Sequence, residues 1–544
     1  MAQWILDLPD EAATGLMARR LSSMFRAGDL VTLAGDLGAG KTTFARALIR
    51  ALLQDPEVEV PSPTYTLLQT YDAEGFRIVH ADLYRIQDAS ELAELGWEDA
   101  AENALVLVEW ADRAGESLAE DRLDIHLATT GATGAGRRMV LTGHGSFASR
   151  LERARAVQLL LDETGFGDAR RDFMLGDASV RAYERLHDEA SGRRAILMIS
   201  PKRPDGPPIR LGKPYSTLVH LAETVDAFIA IGQGLRQNGF SAPEIYGFDR
   251  ETGLIVLEDL GAAGVVDADG PIPERYRLSV EALAALHALA LPDELAVAPG
   301  VTHKLHRYDL EALTIEAELL LDWYYPYAAK RSPNASARLS FVDLWVATLE
   351  PVVSGPRTWA LRDYHSPNLI WLPERDGIQK IGMIDFQDCV LGHPAYDVVS
   401  LLQDARVTVP EALELPLLAA YARARREREA DFDLSAFTAA YAILGAQRAT
   451  KILGIFIRLD RRDGKPAYLR HLPRVEAYLK RCLAHPALAK LREWYAANLP
   501  GFAIDKEASG EHGGGNSHPT RDGAGSRAGH THAPADGEPT EAAD

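Results

Sequence analysis

The sequence predicts two folded domains of different class, an N-terminal α/β domain and a C-terminal α+β bilobal domain, followed by a disordered tail. Three observations predict this. A chain of 544 residues exceeds the usual size of one hydrophobic core. A glycine-rich loop, Gly35-Asp36-Leu37-Gly38-Ala39-Gly40-Lys41-Thr42, lies between an apolar run and a helix-spaced segment. Far downstream, Asp363-Tyr364-His365-Ser366-Pro367-Asn368 and Ile384-Asp385-Phe386 follow a different phosphate-binding design, so the two constellations belong to separate domains.

In the first domain, Leu30–Ala34 reads as a strand entering the glycine loop, and Thr43–Leu53 as the helix leaving it. Phe76–Ala81, Ala104–Glu109, Leu123–Leu127 and Met139–Leu141 read as further strands, with a glycine-rich turn at Gly131–Gly136 between the last two. Ser146–Leu161 reads as a closing helix and Asp162–Gly167 as a junction. The expected limits are 1–160 for this domain, 161–505 for the second and 506–544 for the tail.

The pattern restarts near Gly176. Val180–Leu186 and Arg194–Ile199 read as a hairpin, Thr217–Gln237 as a helix, and Leu254–Leu257 as a strand ending at Glu258, Asp259 and the turn at Gly261. The remainder reads as mainly helical: Ser279–Leu289, Leu305–Tyr324, Phe341–Leu349 and Ala412–Phe456 in pieces. The tail has almost no large apolar residue, so it cannot offset the cost of ordering.

With 47% hydrophobic and 25% charged residues, most of the chain suits a soluble globular fold. A formal charge of -20 gives no general attraction to nucleic acid, so RNA contact is expected only locally or through partners, and no DNA partner is expected. Cys389 and Cys482 are the only cysteines, which excludes a disulfide framework and fits a reducing cytosol. No signal peptide is read, and no apolar run of about 18 residues, so a cytoplasmic protein without a membrane partner is expected.

The chemistry of the first loop follows from its residue types. Gly35, Gly38 and Gly40, with Ala39, let backbone amides approach phosphate oxygens; Lys41 reaches the β and γ phosphates of ATP, and Thr42 offers a hydroxyl to Mg²⁺. That is the loop of a P-loop NTPase. Glu109 ends a strand, a usual place for an acidic group holding Mg²⁺ or its water, while Trp110 suits packing near the nucleotide. Gly35–Thr43, Ser62-Pro63-Thr64-Tyr65-Thr66, His80-Ala81-Asp82-Leu83-Tyr84-Arg85 and Val108-Glu109-Trp110 together resemble the TsaE family. That resemblance implies an ATPase assisting threonylcarbamoylation of adenosine 37 in tRNA, with TsaB and TsaD proteins as partners and tRNA reached through their complex. It places Lys41, Thr42 and Thr43 at the nucleotide, Thr64 in a switch-like segment, and Asp82 and Glu109 around metal and attacking water, without deciding which activates water.

In the second constellation, Asp363 followed five positions later by Asn368 has the spacing of a kinase catalytic loop, a base and a metal ligand together. Asp385 follows an apolar run, as the metal-binding Asp of such kinases does, and Leu369–Leu372 with Gln379–Ile384 reads as a hairpin bringing both carboxylates to one cleft. Arg362–Asn368, Ile384–Phe386 and Gly392-His393-Pro394-Ala395-Tyr396-Asp397 resemble the aminoglycoside phosphotransferase-like kinases, whose fold is bilobal and protein-kinase-like. Gly176–Leu186 and Leu197-Met198 look like the anomeric N-acetylmuramate/N-acetylglucosamine kinases. The resemblance implies that Asp363 aligns the C1 hydroxyl, that Asn368 and Asp385 hold Mg²⁺, and that Asp177, Ser179 and Arg181 cover the ATP phosphates. Glu258 is expected at the hinge beside adenine.

The third strand departs from protein kinases, carrying Ala195-Ile196-Leu197-Met198 where a Lys is usual. Arg181 or Arg185 is expected to supply that charge, Lys202 reads as a loop cation, and Glu223 as either a surface residue or half of an ion pair. Tyr396 and Asp397 are candidates to brace the catalytic loop, and the aromatic set Trp323, Tyr324, Tyr325, Tyr327 and Trp345 suits core packing or sugar stacking. The resulting expectation is an ATPase joined to an ATP-dependent phosphotransferase with an alcohol acceptor, an amino sugar of cell-wall recycling. The alternatives are an ATP-switched assembly module in the first half and an aminoglycoside, choline-like or other small acceptor in the second.

Overall fold

The computed structural model describes residues 1–86, 91, 97–113, 118–131, 134–174, 181–202 and 206–502. Ser179, Asp177, part of the Gly131–Gly136 turn and the expected tail lie outside the described residues. The first domain is a seven-stranded sheet ordered β1-β7-β6-β2-β5-β4-β3. These are β1 (Ala2–Leu8), β2 (Leu30–Ala34), β3 (Leu68–Ala73), β4 (Phe76–Asp82), β5 (Ala104–Glu109), β6 (Leu123–Thr130) and β7 (Gly136–Gly143). Strands β4, β5, β2 and β6 run parallel, and the edges are closed by antiparallel partners. Near-continuous apolar runs in β2 and β5 suit strands covered on both faces. Open sheets of this kind bind ligands beyond the carboxyl ends of their parallel strands. Register sets Asp82 beside Glu109 and Glu109 beside Leu33 at that edge.

Strands β1 and β3 and the helix Glu11–Leu21 extend the elements read from the sequence. The closing helix runs Ser146–Thr164, through the expected boundary after residue 160 and into the segment read as a junction. Phe147 and Leu151 join the core of the first domain. Val157, Leu160 and Leu161 pack with Leu186, Ala195, Leu197, Leu254 and Val256 of the next sheet. One helix therefore belongs to two hydrophobic cores.

That next sheet has five antiparallel strands, ordered Ile245–Asp249, Leu254–Glu258, Arg194–Ile199, Ala182–His187 and Arg170–Met174. Alternation splits its faces: Ala195 and Leu197 meet the shared helix, while Ile196 and Met198 face the main core. The single helix expected over Thr217–Gln237 is two, Tyr215–Leu218 and Asp226–Gln237, and Glu223 lies in the loop between them. Backbone groups of that loop are drawn into tertiary bonds: Val219 O accepts from Arg362, and Ala222 N donates to Asp388.

The large lobe is built on Pro273–His287, Ala335–Val353, Glu411–Arg428 and the long helix Leu434–Arg461. The helix expected from Leu305 starts at Leu310, capped by Asp309, and its last turns are a π-helical Leu320–Tyr324 and Tyr325–Ala329. The aromatic set is largely core: Trp345 and Tyr325 are fully buried, and Phe341 lies 4.6 Å from the Trp494 ring. The hairpin Leu369–Trp371 with Ile381–Met383 carries the second constellation at its two ends.

Candidate active sites

The first site forms where the glycine loop leaves β2 and the helix Lys41–Leu53 begins, so loop amides and a helix N-terminus share one concavity. Gly35 has φ +134°, and a Cβ there would stand 2.1 Å from the Leu127 carbonyl oxygen, so only glycine fits. Gly38 and Gly40 also have positive φ, Gly40 caps the helix, and Ala39 is fully buried. Lys41 Nζ donates to the carbonyl oxygens of Gly35 at 2.8 Å and Asp36 at 3.0 Å, and lies 4.0 Å from the Trp110 ring centroid. Burial pushes its ammonium below the usual lysine range, against the pull of Glu109, Asp82, Asp36 and Asp112.

The Thr42 hydroxyl donates to Glu109, 2.8 Å from Oε1 and 3.0 Å from Oε2. His80 Nε2 lies 3.0 Å from Glu109 Oε1, and both residues are buried. Asp82 is tied to the switch-like segment: its Oδ2 accepts from Ser62 at 2.9 Å and Thr64 at 2.8 Å, and its Oδ1 from the Tyr84 amide at 3.0 Å. Thr43 instead meets Glu11, at 3.3 Å. Arg137 of β7 was not singled out from sequence. It donates to Ala39 O at 2.7 Å and Gly38 O at 3.2 Å, fixing the loop from outside. Its only sequence signal is a cation directly after a glycine turn.

At the second site, Asp363, Asn368 and Asp385 converge. Asn368 Nδ2 donates to Asp363 O at 2.9 Å and lies 3.4 Å from Asp385 Oδ2. Burial pushes the Asp363 carboxyl up, but the cations around it, Arg448, Lys451 and Arg362, favour its ionised form, and it is held below the usual carboxylate range. The His365 Nδ1–H donates to Asp363 O at 2.7 Å while Arg406 donates to Nε2 at 2.5 Å; burial lowers the imidazole pKa, which fits this neutral form.

Arg181 NH1 donates to Asp385 Oδ1 at 2.9 Å, and Gln387 Nε2 donates to the same oxygen at 2.8 Å. Of the two arginines considered for the missing third-strand charge, Arg181 reaches the site; Arg185 pairs with Asp259 at 3.0 Å. Lys202 is exposed, and Glu223 accepts from Thr217 at 3.0 Å. The Glu258 carboxylate pairs with Arg375 and, at 3.7 Å, with Arg236, and its backbone amide donates to Glu244 O at 2.8 Å. Asp388, three residues past Asp385, was not singled out; it accepts the Ala222 amide at 2.7 Å, and burial pushes its carboxyl up.

The catalytic loop is braced from below. Asp397 accepts the backbone amides of Leu361 at 2.7 Å and Arg362 at 2.9 Å. Tyr396 meets Tyr308 and Lys451 rather than the loop. The Arg362 side chain is buried, donating to Val219 O at 2.8 Å and Glu316 at 2.5 Å, and Glu316 also pairs with Lys451 at 2.8 Å. Ser366, through N and Oγ, is held by Asp404.

Both sites offer hard oxygen donors, Thr42 with Glu109 and Asn368 with Asp385, which suits Mg²⁺ shared with nucleotide phosphates. Among the described residues no three His, Cys, Asp or Glu side chains form a cage of their own.

Two family descriptions match the chain: "Threonylcarbamoyl adenosine biosynthesis protein TsaE" over residues 8–139 and "Phosphotransferase enzyme family" over residues 173–432. The chain is 40% identical over 362 residues to an N-acetylmuramate/N-acetylglucosamine kinase of Caulobacter vibrioides, covering 64% of this chain and 97% of that protein. It is 30% identical over 339 residues to the like-named kinase of Pseudomonas putida, covering 59% of this chain and 86% of the relative. Its first part is 39% identical over 120 residues to a tRNA threonylcarbamoyladenosine biosynthesis protein TsaE of Rickettsia conorii, covering 22% of this chain and 68% of the relative.

Proposed function

Because the chain belongs to the TsaE family in its first part and to the N-acetylmuramate/N-acetylglucosamine kinase family in its second, we propose that it supports tRNA threonylcarbamoylation and phosphorylates amino sugars at C1. It is a bifunctional ATP-binding enzyme, an ATPase fused to an ATP-dependent phosphotransferase. No described helix is long and apolar enough to cross a membrane.

The observation carrying the second activity is the convergence of Asp363, Asn368 and Asp385. In the proposed reaction the C1 hydroxyl oxygen bonds the γ-phosphorus of ATP, the β,γ-bridging P–O bond breaks, and ADP leaves with that electron pair. Asp363, ionised and held at its loop, orients the hydroxyl and takes its proton. Asn368 and Asp385 would hold Mg²⁺, which neutralises phosphate charge. Arg181 adds a cation beside Asp385 in the role usually given to a third-strand Lys. Sugar-1-phosphate made by the wild type and lost in Asp363→Asn supports this reading. Transfer only to other acceptors would remove the amino-sugar assignment.

In the first site, the Thr42–Glu109 contact supports a reading in which this pair would hold Mg²⁺, while Asp82, gripped by Ser62 and Thr64, would position the attacking water. Hydrolysis there would drive the tRNA-modifying complex rather than modify tRNA directly. Exposed Leu37 on the glycine loop and Tyr65 on the switch-like segment favour the assembly-module reading of this half, since a TsaB/TsaD-type partner could read the nucleotide state there. ATP-dependent capture of such partners by the full chain, lost in Lys41→Ala, tests it; capture indifferent to ATP contradicts it.

A further inference from the structure

We propose that Arg458, with Lys451 and Tyr215, forms a carboxylate-binding subsite on the acceptor side of Asp363, which makes the kinase prefer an anionic amino sugar over a neutral one. This deepens the amino-sugar reading above and rests on it.

Arg448, Lys451 and Arg458 lie three and ten residues apart on the helix Leu434–Arg461, which puts them on one side of it. Arg448 and Lys451 both act on Asp363, so this side faces the catalytic loop. Arg448 and Lys451 already have partners. Arg448 is committed to the catalytic loop, donating to Ser400 Oγ at 2.6 Å, while that hydroxyl donates to Arg362 O at 3.0 Å. Glu316 is one carboxylate shared by two cations, Arg362 at 2.5 Å and Lys451 at 2.8 Å. Arg458 has no carboxylate within ion-pair distance among the described residues, and its Nε is buried without a hydrogen-bond partner. Asp463, which also acts on Arg458, is already paired with Arg462 at 2.8 Å.

Tyr215 links these groups. Its ring centroid lies 5.3 Å from the Arg458 guanidinium carbon, and its phenol feels Glu316, Lys451, Arg458 and Arg362 together. Burial pushes that phenol up to about 12, so it stays a neutral hydrogen-bond donor. Burial also lowers Arg458, against the pull of Tyr215, which its side chain meets, and of Asp463. Asp363, Tyr215, Lys451 and Arg458 each keep part of their surface exposed. A carboxylate bound here would give Arg458 a direct ion-pair partner through paired N–H donors, the geometry guanidinium favours. N-acetylmuramate carries such a carboxylate on its lactyl ether; N-acetylglucosamine does not.

The test is the ratio of kcat/KM for N-acetylmuramate over N-acetylglucosamine, measured on the full chain and on Arg458→Gln. The subsite predicts that this ratio falls roughly 10- to 100-fold, the loss of one charge-assisted contact, and that Arg458→Lys recovers part of it. Equal losses on both sugars, or no loss, overturn the subsite while leaving amino-sugar phosphorylation standing. A wild-type chain that phosphorylates neither sugar overturns both together.

Discussion

The guanidinium of Arg181 lies 2.9 Å from Oδ1 of Asp385, linking the strand after the small-lobe turn to the carboxylate proposed to hold Mg²⁺. Met198 occupies the third strand with its side chain buried in the core, so it offers no charge. Arg181→Ala is therefore expected to lower phosphotransfer roughly 100-fold, the scale of one preorganised electrostatic contact, while hydrolysis at the glycine loop continues. Comparable phosphotransfer in the variant would remove Arg181 from the nucleotide site.

The Thr42–Glu109–His80 chain makes the reciprocal prediction. Glu109→Gln keeps the shape of the side chain but removes the charge. Phosphate release without any sugar should fall roughly 100-fold, with sugar-dependent ADP formation unchanged. Loss of both activities in a folded variant would mean that the sites depend on one another.

The parts legible in the sequence were those whose function is local. The glycine loop needs Gly35 where a Cβ would strike Leu127, and Asp363 and Asn368 share one short loop, so spacing alone exposes both. Both family resemblances hold over the matched spans. What escaped depends on distant partners. Strand β1 pairs with β7, far along the chain, and Arg137 reaches the glycine loop only once the sheet has formed. Thr217–Gln237 carries helical spacing, yet Arg362 and Asp388 claim backbone groups in its middle, and His220 there adopts φ +57°. Tertiary bonds overrode local propensity at that point.

His393 gives a prediction in pH. Burial lowers it from 6.5 to about 4, with Nδ1 accepting the Ala395 amide. Between those values the unfolded chain binds the extra proton, so stability is present above pH 6.5 and declines as pH falls toward about 4. The loss from this group is at most about 3 kcal/mol. Denaturant melts of His393→Asn should show a shallower decline over that window; an identical pH dependence would count against the buried neutral form.

The helix Ser146–Thr164 separates the two cores in a testable way. Leu161 is buried against the small-lobe sheet, so Leu161→Ala should cost about 2–4 kcal/mol there. Heat inactivation of phosphotransfer should then move to lower temperature further than heat inactivation of glycine-loop hydrolysis. Equal shifts would indicate that the two cores melt as one.

The most direct measurement is product identification after the full chain meets Mg-ATP with N-acetylmuramate or N-acetylglucosamine, beside Asp363→Asn and Lys41→Ala. The account predicts a sugar-1-phosphate from the wild type and from Lys41→Ala, and none from Asp363→Asn. Sugar phosphate still formed by Asp363→Asn, or formed by neither the wild type nor Lys41→Ala, would contradict it.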